Sequence, residues 1–219
     1  MTAPVRSRTF KPRRRRMSPT RAAAFERLEP IYALDVAGPA IDTSAVFCRT
    51  APLVLEVGCG AGEATLHSAI ERPDTDHIAA EVHTPGLARL LVDIESHELT
   101  NVRVVHGDAL EFVARLGDGC LEEIRIWFPD PWPKVRQLQR RIVQPEPLAS
   151  LLRCLAPGGR LRLATDVIDY AEQMLAVCSG IDYLTGGVVD RPDDRPVTRF
   201  ERKGIEAGRI VTDIVMTRS

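Results

Sequence analysis

The 219-residue chain contains no CxxC pair. Its five cysteines, Cys48, Cys59, Cys120, Cys154 and Cys178, are scattered and odd in number. That argues against a disulfide framework and fits reduced thiols in a cytoplasm, the localisation expected. The five histidines stand at no metal-ligand spacing from one another or from cysteine, so no metal site is expected. No apolar run approaches the roughly 20 residues that span a bilayer, and no membrane segment is expected. The first residues are basic without an apolar stretch behind them, which does not read as a secretory signal. There is no internal repeat and no sign of a second domain. Nothing in the sequence fixes an oligomeric state, and a monomer is favoured.

Acid is missing from residues 1–21, which carry eight Arg/Lys. The formal net charge is −1, so the remainder holds 29 − 8 = 21 basic against 30 acidic residues, a balance of −9. A basic arm on an acidic body suits a phosphate backbone, with Arg13, Arg14, Arg15 and Arg16 as candidate RNA contacts; the alternative is a solvated tail. Residues 1–20 hold three prolines and no apolar periodicity, and read as a flexible arm ahead of a single domain over 21–219. A short helix interrupted at Pro30 is expected over 21–34.

From residue 53 a regular alternation begins. Strands are expected at 53–57, 77–82, 102–105, 121–128 and 160–165, and helices near 62–71, 85–97, 109–116, 143–155 and 167–179. This rhythm predicts an α/β fold with a doubly wound, mostly parallel sheet. After residue 180 two strand-like runs flank a polar loop without a helix of crossover length, which predicts an antiparallel closing hairpin. That outline is Rossmann-like, as in a class I methyltransferase.

Gly58 and Gly60, in the segment Val57-Gly58-Cys59-Gly60-Ala61-Gly62, follow the first strand of this series and open a helix, as a nucleotide-binding turn does. Glu56 just before them would repel a pyrophosphate but suits an ammonium group. Glu81 ends the next strand, where an acid can hydrogen-bond ribose hydroxyls. Asp108 ends the one after, where it either accepts from an adenine amino group or caps a helix. The loop Phe128-Pro129-Asp130-Pro131-Trp132-Pro133-Lys134 is stiffened by alternate prolines and fixes Asp130, Trp132 and Lys134 at the ligand edge. Trp132 either stacks on a base or packs in the core. Lys134, Arg136, Arg140 and Arg141 form a basic site beside this loop. Thr198 and Glu201 have the spacing of a capping box.

The segments LEVGCGAGE (55–63), EVHTPG (81–86), GDA (107–109), FPDPWPK (128–134), RRIVQPE (140–146), LATD (163–166) and TRFERKG (198–204) resemble those of the bacterial tRNA (guanine-N7-)-methyltransferases over nearly all of 53–204. The basic run after Lys134 is sparser than the family's, and Pro147 stands where an aromatic is common. The resemblance implies S-adenosylmethionine as cofactor and tRNA as partner, with methylation of N7 of a variable-loop guanine, position 46 in tRNA numbering. It implies that Glu56, Glu81, Asp108 and Asp130 line the cofactor site, with Asp130 catalytic. It implies that Lys134, Asp166, Thr198, Arg199, Phe200 and Glu201 contact the substrate. A methyltransferase acting on another RNA or an amine, a nicotinamide-dependent oxidoreductase, and a non-catalytic RNA-binding protein on the same fold are the alternatives.

Overall fold

The computed structural model describes residues 9–10 and 17–219. Ser18 caps the first helix: its hydroxyl accepts from the Arg21 amide, and Pro19 takes the first helical position, where its missing N–H costs nothing. Helix α1 (Pro19–Tyr32) therefore starts inside the expected arm. It also runs through Pro30, because a proline in the last turn removes one hydrogen bond with little helix left to break. Arg13, Arg14, Arg15 and Arg16 lie outside the described residues.

The two-residue strand β1 (Ala33–Leu34), absent from the sequence reading, is followed by α2 (Thr43–Phe47) and then β2 (Leu53–Val57). Every residue of β2 is buried, as a strand covered on both faces must be. Then come α3 (Glu63–Glu71), β3 (Asp76–Glu81), α4 (Thr84–Ser96), β4 (Val102–His106), the short α5 (Ala109–Phe112), β5 (Leu121–Trp127), α6 (Pro145–Arg153), β6 (Leu155–Thr165) and α7 (Ile168–Ser179). The expected helix over 109–116 is α5 tightened into a 3-10 turn at Val113–Arg115. The chain closes with β7 (Leu184–Val189), α8 (Arg199–Glu206) and β8 (Thr212–Arg218).

The eight strands run in the order β1-β4-β3-β2-β5-β6-β8-β7. β1 to β6 are parallel, and β8 lies antiparallel to both β6 and β7. The fold is the doubly wound sheet with a closing antiparallel pair, and α8 is the one helix its C-terminal part hid. On one face Leu28 of α1, Ala69 of α3 and Leu87, Leu90 and Leu91 of α4 pack on β3 and β4. On the other, Phe112, Leu148, Leu152, Tyr170 and Met174 pack on β2, β5 and β6. Strand order reverses at β2, so the connections diverge between β2 and β5 and leave a crevice at the carboxyl edge.

Under β5, β6 and β8 the α3 side of the sheet carries charge where an apolar helix would otherwise sit. Buried Glu123 takes Arg125, Arg160 and Arg162. Arg162 reaches on to Asp194 at 2.7 Å, and Arg195 holds Glu201 at 2.7 Å and Asp213 at 2.8 Å. The guanidiniums of Arg125, Arg162 and Arg195 stand 5.1, 5.6 and 6.0 Å from the Trp127 ring. This network replaces a hydrophobic layer and anchors the segment that carries α8.

His77 on β3 is buried, and its Nε2 has no hydrogen-bond partner. Burial, with Arg125, Arg72 and Arg49 nearby, lowers its pKa to about 3. The unfolded chain takes a proton there below about pH 6.5 while the folded protein does not. Its stability contribution is thus complete above that pH and is lost as pH falls towards 3. At about 1.4 kcal/mol per pH unit, wild type should lose ~2 kcal/mol between pH 6.5 and 5. His77→Asn should lose much less in urea titrations over that window. Equal losses would show that His77 is not the sensitive group.

Candidate active site

The turn after β2 is left-handed three times, with φ of +78° at Gly58, +60° at Gly60 and +74° at Gly62. Side-chain-bearing residues avoid this region. A Cβ on Gly58 or Gly60 would meet nothing within 4 Å, so open space lies over the turn. A Cβ on Gly86, in the first turn of α4, would meet the Gly60 carbonyl oxygen at 2.1 Å. Backbone packs on backbone there, and the turn is shaped by α4 from below.

Glu81 locks the same turn from β3. Its Oε2 accepts from the Gly60 amide at 2.8 Å, and its Oε1 from the amides of Val82 at 2.7 Å and His83 at 2.8 Å. One lone pair of Oε2 remains for a hydroxyl donor. His83 keeps a buried Nε2 without a hydrogen-bond partner. Glu56 is buried, and Thr65 donates to it at 2.5 Å. Burial pushes the Glu56 pKa up, against the Thr65 bond and the charge of Arg125. Asp108 caps α5, accepting from the Leu110 amide at 3.0 Å. These groups sit at the carboxyl ends of β2, β3 and β4, along one edge of the sheet.

The loop after β5 forms the next part of that edge. Phe128 and Trp132 hold φ of +51° and +44°, costly for bulky residues and maintained by several anchors. The Phe128 amide donates to the Ala164 carbonyl at 2.8 Å. Arg141 donates to the Pro131 carbonyl at 2.8 Å, to Gln173 at 2.6 Å and to Asp169 at 2.5 Å, with its guanidinium 4.4 Å from the Tyr170 ring. Arg141, expected beside the RNA, is buried in this structure and ties the loop to α7. Trp132 is only 1% exposed. Its indole N–H donates to the Thr9 carbonyl at 3.0 Å, and the Arg140 guanidinium lies 3.8 Å from its ring. The core reading of Trp132 therefore prevails over base stacking. Asp130 is half-buried between the two anchor points, while Lys134 and Arg136 are exposed.

On the α3 side, α8 completes the edge. The Thr198 hydroxyl accepts from the Glu201 amide at 3.3 Å, half of a capping box. The Glu201 side chain does not complete the box. It is buried and paired with Arg195. The Arg199 amide donates to Glu63 at the start of α3. Phe200 is 54% exposed and its ring lies 5.4 Å from that of Phe128. Asp166 pairs with Arg209 at 2.7 Å. Thr65, Arg195 and Asp213 escaped the sequence reading, since no local spacing links them to the motifs they support. Among the described residues no group of three His, Cys, Asp or Glu side chains could hold a metal ion, and no helix is long and apolar enough to cross a membrane.

A family model described as "Putative methyltransferase" matches residues 50–214. The tRNA (guanine-N(7)-)-methyltransferase of Streptomyces avermitilis is 44% identical over 97% of this chain and 76% of its own length. That of Nitrosospira multiformis is 42% identical over 98% of this chain and 95% of its own. The chain belongs to the tRNA (guanine-N7-)-methyltransferase family. Solved structures agree on the fold. The 16S rRNA methyltransferase KamB superposes with a TM-score of 0.61 at 16% identity, covering 83% of this chain and 95% of its own. SMU.1697c, from Streptococcus mutans in complex with SAH, gives 0.53 at 12% identity, covering 94% of this chain and 100% of its own.

In this methyltransferase, Glu201→Ala leaves the Arg195 guanidinium buried with only Asp213. The loss should be about 3 kcal/mol, read by denaturant unfolding without ligand. Wild-type stability with weakened substrate binding would return Glu201 to the substrate site.

Proposed function

We propose that the protein transfers a methyl group from S-adenosylmethionine to N7 of guanine in tRNA, at position 46 of the variable loop, as a cytoplasmic enzyme. The observation that carries this reading is the open glycine turn clamped by Glu81, in a chain of this family. The residues fit the cofactor. The space over Gly58 and Gly60 admits its methionine part, and Glu56 is the carboxylate for the ammonium group. The remaining lone pair of Glu81 takes a ribose hydroxyl, and Asp108 faces the adenine amino group. When bound, S-adenosylmethionine supplies an electrophilic methyl on a sulfonium.

Guanine N7 presents an unprotonated lone pair on the major-groove edge, so no residue has to remove a proton before attack. The protein's work is alignment and electrostatics. Asp130, on a loop anchored at Phe128 and Pro131, accepts from the guanine N1–H and amino group and balances the charge that develops on the purine. Phe128 and Phe200 offer an apolar surface beside it. The target base must leave its stack, and contacts along the RNA offset that cost.

The test incubates unmodified tRNA with labelled S-adenosylmethionine and identifies the methylated nucleoside by mass. N7-methylguanosine at position 46 is expected, and a different product would overturn the assignment. Asp130→Ala should lower single-turnover rate by 10²-fold or more, on the order of 3 kcal/mol, with unfolding unchanged. A rate near wild type would show that Asp130 is not catalytic.

A further inference from the structure

Most basic side chains in this structure are occupied. Arg27, Arg49, Arg89 and Arg153 pair with carboxylates, and Arg103, Arg115 and Arg218 donate to backbone carbonyls. Among the described residues the exceptions are Arg21, Lys134, Arg136, Arg199, Arg202 and Lys203, whose side chains have no ion pair, hydrogen bond or ring contact. Five of these six fall on two short segments, the stretch after β5 and α8. On a protein whose body is acidic, such segregation is not what scattered surface arginines would give.

The two segments border the carboxyl edge from opposite faces of the sheet. The β5 loop is tied by Arg141 to α7, on the face that holds α5, α6 and α7. α8 is tied by Arg199 to α3 and by Glu201 to Arg195, on the other face. The Phe128–Phe200 contact joins them at the crevice. The way α8 is held makes its charges available: Glu201 and Gly204 face inward, with a Cβ on Gly204 only 3.1 Å from Asp166. Arg202 and Lys203 are left exposed by that same seating.

We infer that Arg202 and Lys203 of α8, together with Lys134 and Arg136 across the crevice, form a two-sided clamp for tRNA phosphates on either side of the target nucleotide. The inference rests on the proposed tRNA substrate and extends it to residues of α8 that the motif does not assign. Phosphate is the matching chemistry: exposed cations with no carboxylate partner grip a backbone and set its register without reading bases. A strand held at two points across the crevice is also held with its intervening base at the edge, where Asp130 lies.

The experiment measures affinity for an unmodified tRNA transcript between about 50 and 200 mM salt, and steady-state methylation, for Arg202→Ala/Lys203→Ala and for Lys134→Ala/Arg136→Ala. Each double variant should flatten the salt slope by about 1.4 to 1.8, two released phosphate contacts. Each should raise KM for tRNA about tenfold at low salt, with kcat changed far less. Arg27→Ala/Arg89→Ala removes the same net charge from paired positions and should bind as wild type does. An unchanged slope for Arg202→Ala/Lys203→Ala, or an equal change in the control pair, overturns the clamp. Wild type that binds tRNA with the expected salt slope but transfers no methyl group would defeat the functional reading and leave the clamp standing. Normal methylation with an unaffected α8 variant would do the reverse.

Discussion

The carboxylate of Glu81 accepts three backbone N–H groups, one of them from Gly60 across the strand boundary. That single side chain couples the end of β3 to the turn after β2 and to the start of α4. The turn in turn depends on Gly86, since any Cβ there would strike the Gly60 carbonyl. Left-handed backbone at Gly58, Gly60 and Gly62 is thus held from two sides, and the space above it stays open. A ligand that fills this space finds amides and carboxylates already oriented, so little reorganisation is needed on binding.

The far half of the edge is held differently. Around Trp127 the sheet is covered by Glu123, Arg162, Arg195, Glu201 and Asp213, paired in a buried network. Such pairs give little net stability compared with a packed apolar layer, but breaking one is expensive. Their geometric effect is to fix α8 over the crevice by its acidic and small residues, turning its cations outward. Arg141 does the equivalent task for the β5 loop. Two arginine-centred anchors, one on each face, therefore set the positions of Asp130 and Phe200.

Much of this architecture is legible in the sequence. The buried strand runs, the glycine turn and the acids ending β2, β3 and β4 follow from local pattern, and the structure gathers those acids along one edge of the sheet. Strand β1 escapes because two residues carry no periodicity, and α8 escapes because eight mostly charged residues have no apolar face to signal a helix. The burial of Arg141 and Glu201 is hidden for one reason: an isolated charge in a motif reads as surface, whereas their partners Asp169, Gln173 and Arg195 come from other segments of the chain. Trp132 stays undecided in the sequence because alternate prolines suggest an open loop, while in the fold Thr9 and Arg140 close over the indole. Residue type and spacing locate an edge of the sheet, and only the tertiary pairing says which charges remain free to act.

The central claim is that the carboxyl edge between β2 and β5 holds the methyl donor next to Asp130. A crystal structure of the protein with S-adenosylhomocysteine tests it most directly. The ligand should lie over Gly58 and Gly60, with a ribose hydroxyl within hydrogen-bond distance of Glu81 and the sulfur facing the loop that carries Asp130. Binding at any other edge of the sheet, or a ribose out of reach of Glu81, would contradict it.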